Sequence, residues 1–231
     1  MAGDYSLRSN RQRQAALQRE LAVCTTPGEV LEFATKYLDP GQRRDEILGC
    51  AEYVRSRQPE VFCEIGLLRG GTHFFLTHAL PSVKITIGVD PLVQNRAFLE
   101  LLAKAGQRSF FITGSSQSAK TFTRLSAILG ERPIDLLFID GDHRYEAARS
   151  DFLMYRTLVR EGGLIAFHDI CEDYQTRFGR DTGYSAGGVP QLWRKIRGAF
   201  AHREFVDSPD QDAFGIGVIV HSNAIRLPDD L

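Results

Sequence analysis

The chain has no apolar run of roughly 18 residues, the length a helix needs to cross a bilayer. Nothing near its start resembles the apolar core of a signal peptide. The expectation is therefore a soluble, cytoplasmic protein without a membrane partner. Its four cysteines, Cys24, Cys50, Cys63 and Cys171, are far apart and form no Cys-x-x-Cys pair, which argues against a zinc knuckle or a disulfide scaffold. Neither sign of charge dominates: 28 basic residues face 29 acidic ones, a formal net charge of −1. That balance offers no excess for a nucleic acid, and none is expected as a partner. Internal repeats and low-complexity tracts are absent as well.

What remains is an ordinary globular composition, 43% hydrophobic and 25% charged, over 231 residues. That length suits one domain with a sizeable core. Residues 1–26 read as a polar extension, with Arg8, Arg11, Arg13 and Arg19 against Asp4 and Glu20. A frayed tail is favoured there over a helix that packs on a partner subunit, so a homo-oligomer stays open. Residues 27–231 read as the domain. Thr26-Pro27 followed by Glu29 has the form of a helix start, and Pro40-Gly41 ends that run. A second helix is expected from Arg43 to Arg57.

Beyond Pro59, short apolar runs alternate with helical stretches. The runs Val61–Ile65, Lys84–Val89, Ser109–Thr113, Ile134–Ile139 and Leu164–His168 are largely apolar on both faces, as expected of parallel strands under two helical layers. Crossover helices are expected at Thr72–Leu80, Gln94–Ala105, Ser118–Leu129 and Tyr145–Val159. Two final strands, His202–Val206 and Phe214–His221, would add antiparallel at one edge. The fold class is α/β: a doubly wound, mostly parallel, seven-stranded sheet with helices on both faces.

Ligands of such sheets bind at the carboxyl ends of the strands. The first strand runs into Glu64-Ile65-Gly66-Leu67-Leu68-Arg69-Gly70-Gly71-Thr72, whose glycines allow a sharp turn and close approach to a ligand. The spacing is not that of the dinucleotide motif, which counts against a nicotinamide dehydrogenase, and Glu64 suits a ligand bearing an ammonium group. Asp90 closes the second strand, where an acid accepts from both hydroxyls of a ribose; an Asp-Pro turn is the plainer alternative. Ser115, Ser116 and Gln117 follow the third strand, placed either to face an adenine or to cap the next helix.

The fourth strand ends in Asp140-Gly141-Asp142-His143 and the fifth in His168-Asp169. Asp140, His168 and Asp169 offer two hard oxygen ligands and a nitrogen for a divalent ion, probed first as magnesium, with manganese and ferrous iron as alternatives. His143 suits a general base acting on a hydroxyl. The plainer reading is that these groups cap helices and pin loops.

These motifs, above all Phe62–Gly66 through Gly71-Thr72, Phe138–His143 and Glu161–Asp169, resemble the class I S-adenosylmethionine-dependent methyltransferases. Within that superfamily the chain looks most like macrocin-type and cephalosporin-pathway-type O-methyltransferases, related to the catechol O-methyltransferases. The resemblance spans roughly Val61 to Lys195. It implies a Rossmann-like methyltransferase fold that takes S-adenosyl-L-methionine and methylates a hydroxyl of a small-molecule substrate, a sugar or phenol of a natural product. Glu64, Gly66, Gly71 and Thr72 would hold the methionine part, Asp90 the ribose, and Ser115, Ser116 and Gln117 the adenine. Asp140 would touch both cofactor and metal, His168 and Asp169 would complete the metal set, and His143 would be the base. The family usually has Glu or Asp where His168 stands. Residues 171–193 resemble its substrate-side insertion, where Tyr174, Phe178 and Tyr184 are candidates for lining an acceptor pocket and Trp193 for a structural anchor. A non-haem iron hydroxylase and a non-catalytic scaffold are the rival readings.

Overall fold

The computed structural model describes residues 2–228 and 231, with side chains from 11 onward. Met1, Asp229, Asp230 and the Asp4 and Arg8 side chains, all part of the expected segments, lie outside what is described. Among the described residues, seven strands form one sheet: β1 (Val61–Ile65), β2 (Ile85–Asp90), β3 (Arg108–Thr113), β4 (Ile134–Ile139), β5 (Val159–His168), β6 (His202–Phe205) and β7 (Ile216–Val220). Their order is β3-β2-β1-β4-β5-β7-β6. The first five are parallel; β7 runs antiparallel to both β5 and β6. All five residues of β1 are buried, because both faces of the sheet are covered.

Helices α2 (Pro27–Tyr37), α3 (Arg44–Arg55), α4 (Gly71–Ala79) and α5 (Arg96–Leu101) belong to one face, where Phe33 stacks on Phe74 at 5.5 Å. Helices α6 (Ala119–Leu129) and α7 (Tyr145–Tyr155) cover the other, together with α9 (Val189–Arg197); the short α8 is Tyr174–Phe178. The expected helix start of α2 takes the form of a capping box: Thr26 Oγ1 accepts from the Glu29 amide at 3.3 Å, and Glu29 Oε2 accepts from the Thr26 amide at 2.9 Å.

Three expectations are corrected. The favoured tail is instead a helix, α1 (Ala2–Ala22), because Leu17 and Leu21, one turn apart, dock on the α2 face and Glu20 accepts from Lys36 and Tyr37, each at 2.7 Å. The helix expected to reach Val159 ends at Tyr155, and a 3₁₀ turn, Arg156–Leu158, leads into a β5 that starts five residues early. Gly162 makes that early start feasible with φ of 71°, and a Cβ on Gly163 would lie 2.7 Å from Val159 Cγ1. Finally, Val189–Trp193 forms the first half of α9 and not the end of a loop.

In register, Ile65 lies between Val89 and Ile139, and Ile139 beside Phe167. The residues that follow these strands therefore emerge along one edge, around the point where the chain turns from β1–β3 on one side to β4–β5 on the other.

Candidate active site

A cavity of about 600 Å³ opens along that edge, within the size range of a small-molecule site. Of the cofactor, metal and base residues singled out in the sequence, all but Glu64 line it: Gly66, Gly71, Thr72, Asp90, Ser115, Ser116, Gln117, Asp140, His143, His168 and Asp169.

Glu64 turns away. Its carboxyl is buried and faces His73 Nδ1 of α4 at 3.0 Å, with the His73 ring stacked 5.1 Å from Phe62. Burial raises the Glu64 pKa well above the carboxylate range and lowers that of His73 to about 3. Both shifts favour a neutral pair, in which a protonated Glu64 donates to the imidazole. The ammonium contact expected of Glu64 is therefore not what this arrangement presents.

The turn after β1 is shaped by its glycines. Gly66 has φ of 88°, and a Cβ there would lie 2.0 Å from the Asp140 carbonyl oxygen. Asp90 braces the same turn: its Oδ2 accepts from the amides of Leu67 at 2.8 Å and Leu68 at 3.0 Å, and its Oδ1 accepts from Leu92 at 2.6 Å. The plainer turn role is thus present. A carboxylate has about four acceptor sites, so these three bonds leave room for a ligand hydroxyl.

The opposite end of the cavity holds the acids and imidazoles. His168 Nδ1 lies 3.1 Å from Asp140 Oδ1 and 3.4 Å from Asp169 Oδ2. His143 Nδ1 is 3.3 Å from Asp169 Oδ2, and its Nε2 is 3.5 Å from Asp140 Oδ1. Among the described residues, the set able to converge on one ion is Asp140, His143 and Asp169, with donor atoms within 4.8 Å of one another. His143 thus stands with the ligands, and His168 is the more deeply buried imidazole, its Nε2 without a hydrogen-bond partner.

Burial alone would raise the Asp140 carboxyl, but the charges and hydrogen bonds of both imidazoles outweigh it and bring the pKa to about 2. For His143, the hydrogen bond to Asp140 outweighs burial, and Asp169 adds to it, giving about 9. Burial opposes charge on His168, yet Asp140 and Asp169 together raise its pKa. In Asp169 burial wins and the pKa rises. These shifts favour protons on the imidazole nitrogens that lie between the carboxylates, a place a divalent cation could take.

Sequence reasoning did not single out Gln42 or Phe214. Gln42 Nε2 donates to Asp140 Oδ2 at 2.7 Å, and Gln42 Oε1 accepts from the Thr72 hydroxyl. It sits just past the Pro40-Gly41 break, and no local motif marks it. Phe214 lines the cavity beside His168, ring centroids 5.9 Å apart, and Tyr184, 5.0 Å. Ala213, Phe214 and Gly215 all have positive φ, a costly run for two residues with side chains. The run is pinned where Asp169 Oδ1 accepts from the Phe214 amide at 2.8 Å and the buried Glu46 accepts from the Gly215 amide at 2.9 Å. Three consecutive left-handed residues have no signature in a strand-like pattern.

The 171–188 segment is docked against the site. Asp173 Oδ2 accepts from the Ala186 amide at 2.8 Å, and the Gly188 amide donates to the His143 carbonyl at 2.7 Å. Of its three aromatics, only Tyr184 lines the cavity; Tyr174 and Phe178 pack on each other at 5.4 Å, away from it.

Residues 63–170 match a family model described as a methyltransferase domain. A protein of Acanthamoeba polyphaga mimivirus, R132, uncharacterised, is 38% identical over 120 residues, 49% of this chain; the match spans about half, 52%, of that relative's length. Solved structures share the fold at low identity. An O-methyltransferase from Bacillus cereus in complex with SAH superposes with a TM-score of 0.58 at 18% identity, covering 90% of this chain and 97% of its own. The O-methyltransferase TomG from Streptomyces achromogenes, involved in tomaymycin synthesis and solved with SAM, gives 0.54 at 16%, covering 87% and 94%. MycE from the mycinamycin biosynthetic pathway, in complex with Mg and SAH, gives 0.55 at 16%, covering 83% of this chain and 53% of its own. Residues 63–170 are thus similar to a methyltransferase domain, and the chain has the class I S-adenosylmethionine-dependent methyltransferase fold.

Proposed function

We propose that this chain is a methyltransferase that transfers the methyl group of S-adenosylmethionine to a hydroxyl of a small molecule, with a divalent metal, magnesium first, at the acid–imidazole cluster. The observation that carries this reading is one cavity that joins a glycine turn and a strand-end aspartate to a set of two carboxylates and an imidazole. The solved structures of similar fold that contain SAM, SAH or Mg support it. The cavity has room for a cofactor and an acceptor side by side.

The donor set fits a divalent ion: Asp140 and Asp169 would supply oxygens and His168 Nδ1 faces both carboxylates, while His143, whose position would also let it converge on an ion, is kept in this reading as the base. When bound, such an ion would lower the pKa of an acceptor hydroxyl and fix its position. The protein's own groups do the rest. The turn from Gly66 to Thr72 cradles the methionine part, Asp90 offers its free acceptor capacity to the ribose, and Ser115, Ser116 and Gln117 border the adenine. His143 stands within reach of the acceptor end and takes the hydroxyl proton once its carboxylate neighbours no longer hold it protonated. Tyr184 and Phe214 wall the acceptor side and exclude water, which favours attack by a weakly nucleophilic oxygen. A sugar or phenol of a natural product with two adjacent hydroxyls is the acceptor class proposed. The domain extends over residues 27–231, with 1–26 as an extension and the substrate-side insertion ending near Gly188.

The test is methyl transfer from labelled S-adenosylmethionine to a panel of vicinal diols and catechols, with Mg²⁺ and with EDTA. Mg²⁺-dependent label in a methyl ether is expected. A panel that stays unlabelled while 2-oxoglutarate is consumed with ferrous iron would transfer the site to the hydroxylase reading.

A further inference from the structure

We propose that Gln42 is a positioning residue that ties the cofactor turn to the acid–imidazole cluster by fixing the polarity of the Thr72 hydroxyl, a proposal that rests on the methyltransferase reading above. A carboxylate only accepts, so the bond between Gln42 and Asp140 Oδ2, 2.7 Å, obliges the amide to present its NH₂ there. Its carbonyl oxygen must then face Thr72, and the hydroxyl has to donate. A hydroxyl has one proton, which is now committed to Gln42. What Thr72 turns toward the cavity it lines is a pair of acceptor sites.

That polarity selects among the groups of an amino-acid ligand. The ammonium of the methionine part donates and is welcome at Thr72; its carboxylate accepts and is not. The acceptor role expected of Glu64 thereby passes to Thr72, because Glu64 is buried against His73. At its other end the same amide occupies Asp140 Oδ2 and leaves Oδ1 to the imidazoles of His168 and His143. Gln42 comes from the segment between α2 and α3, outside the 63–170 match, so this tie is an addition to the strand-end motifs.

The experiment is a double-mutant cycle read by calorimetry with S-adenosylhomocysteine: wild type, Gln42→Met, Thr72→Val and both together, with thermal midpoints recorded for each. Each single change should weaken binding about five- to tenfold, the scale of one lost hydrogen bond. The double variant should bind within about twofold of Thr72→Val alone, because the two residues act through one hydroxyl. Thr72→Ser restores the hydroxyl and should recover most of the affinity lost in Thr72→Val. As a second probe, 5′-methylthioadenosine has the nucleoside but no amino-acid part, and Gln42→Met should leave its affinity within about twofold. Additive losses in the cycle, or an equal loss with 5′-methylthioadenosine, would overturn the coupling while the methyltransferase reading stands. If Gln42→Met does not fold, Gln42→Ala enters the same cycle. Wild-type protein that binds neither probe would remove the functional reading and this proposal together.

Discussion

At the scale of single residues, the site separates acids of similar appearance into different roles by burial and partners. Glu64, Asp90, Asp140 and Asp169 all stand at or just beyond strand ends. Only Glu64 is cut off from the cavity, and its neutral pairing with His73 makes a prediction. Glu64→Gln preserves a donor for His73 Nδ1, so S-adenosylmethionine affinity should remain within about threefold, or roughly 0.7 kcal/mol. A hundredfold loss by calorimetry would mean that Glu64 contacts the cofactor after all. Asp140→Asn, by contrast, should weaken Mg²⁺ binding and turnover while leaving S-adenosylmethionine affinity within about tenfold, roughly 1.4 kcal/mol; unchanged turnover would contradict the assignment. His143 is held protonated in the metal-free protein, so its imidazole should titrate near pH 9 by NMR. Its raised pKa stabilises the fold fully below the unfolded value near 6.5, and that contribution disappears as pH rises through about 9. A divalent ion on the carboxylates should shift the titration downward. An imidazole that titrates near 6.5 without metal would show that the carboxylates do not hold it.

At the scale of elements, the parallel strands were legible because each contains a short, largely apolar run bounded by a turn. The strand-end residues were legible for the same reason, since a parallel sheet gathers whatever follows its strands. Three features were not. Gln42 acts across 98 positions of sequence, a distance at which no local pattern speaks. Phe214 lies in a left-handed run that reads as the start of a strand. Tyr174 and Phe178 looked equivalent to Tyr184, but the fold of α8 turns them away from the cavity. The docking of the 171–188 segment yields a prediction of its own. Gly187 has φ of 58°, and a Cβ there would meet the His143 carbonyl oxygen at 2.4 Å. Gly187→Ala should cost about 1–2 kcal/mol in strain alone and push the segment off His143. A raised acceptor KM with S-adenosylmethionine affinity retained is expected; an unchanged KM would mean that the segment does not border the acceptor.

At the scale of the whole molecule, the sheet order β3-β2-β1-β4-β5-β7-β6 explains why one edge carries the chemistry and why the opposite end of the chain matters to it. The antiparallel β7 closes against β5, and Trp193 of α9 anchors the closure. Its ring lies 5.8 Å from Phe167, and its Nε1 donates to Glu204 at 2.6 Å. A Cβ on Gly217 would meet that ring at 2.5 Å, so the glycine is the space the indole occupies. Gly217→Ala should destabilise the fold by about 1–3 kcal/mol, measured by denaturant unfolding, as overpacking in a filled core does. The central claim, that this edge holds S-adenosylmethionine beside a metal cluster, is tested most directly by calorimetric titration of S-adenosylmethionine into metal-stripped protein, repeated with Mg²⁺. Stoichiometric binding in both titrations, with Mg²⁺ heat that is lost in Asp140→Asn, is the predicted result. No binding of S-adenosylmethionine under either condition would contradict the account.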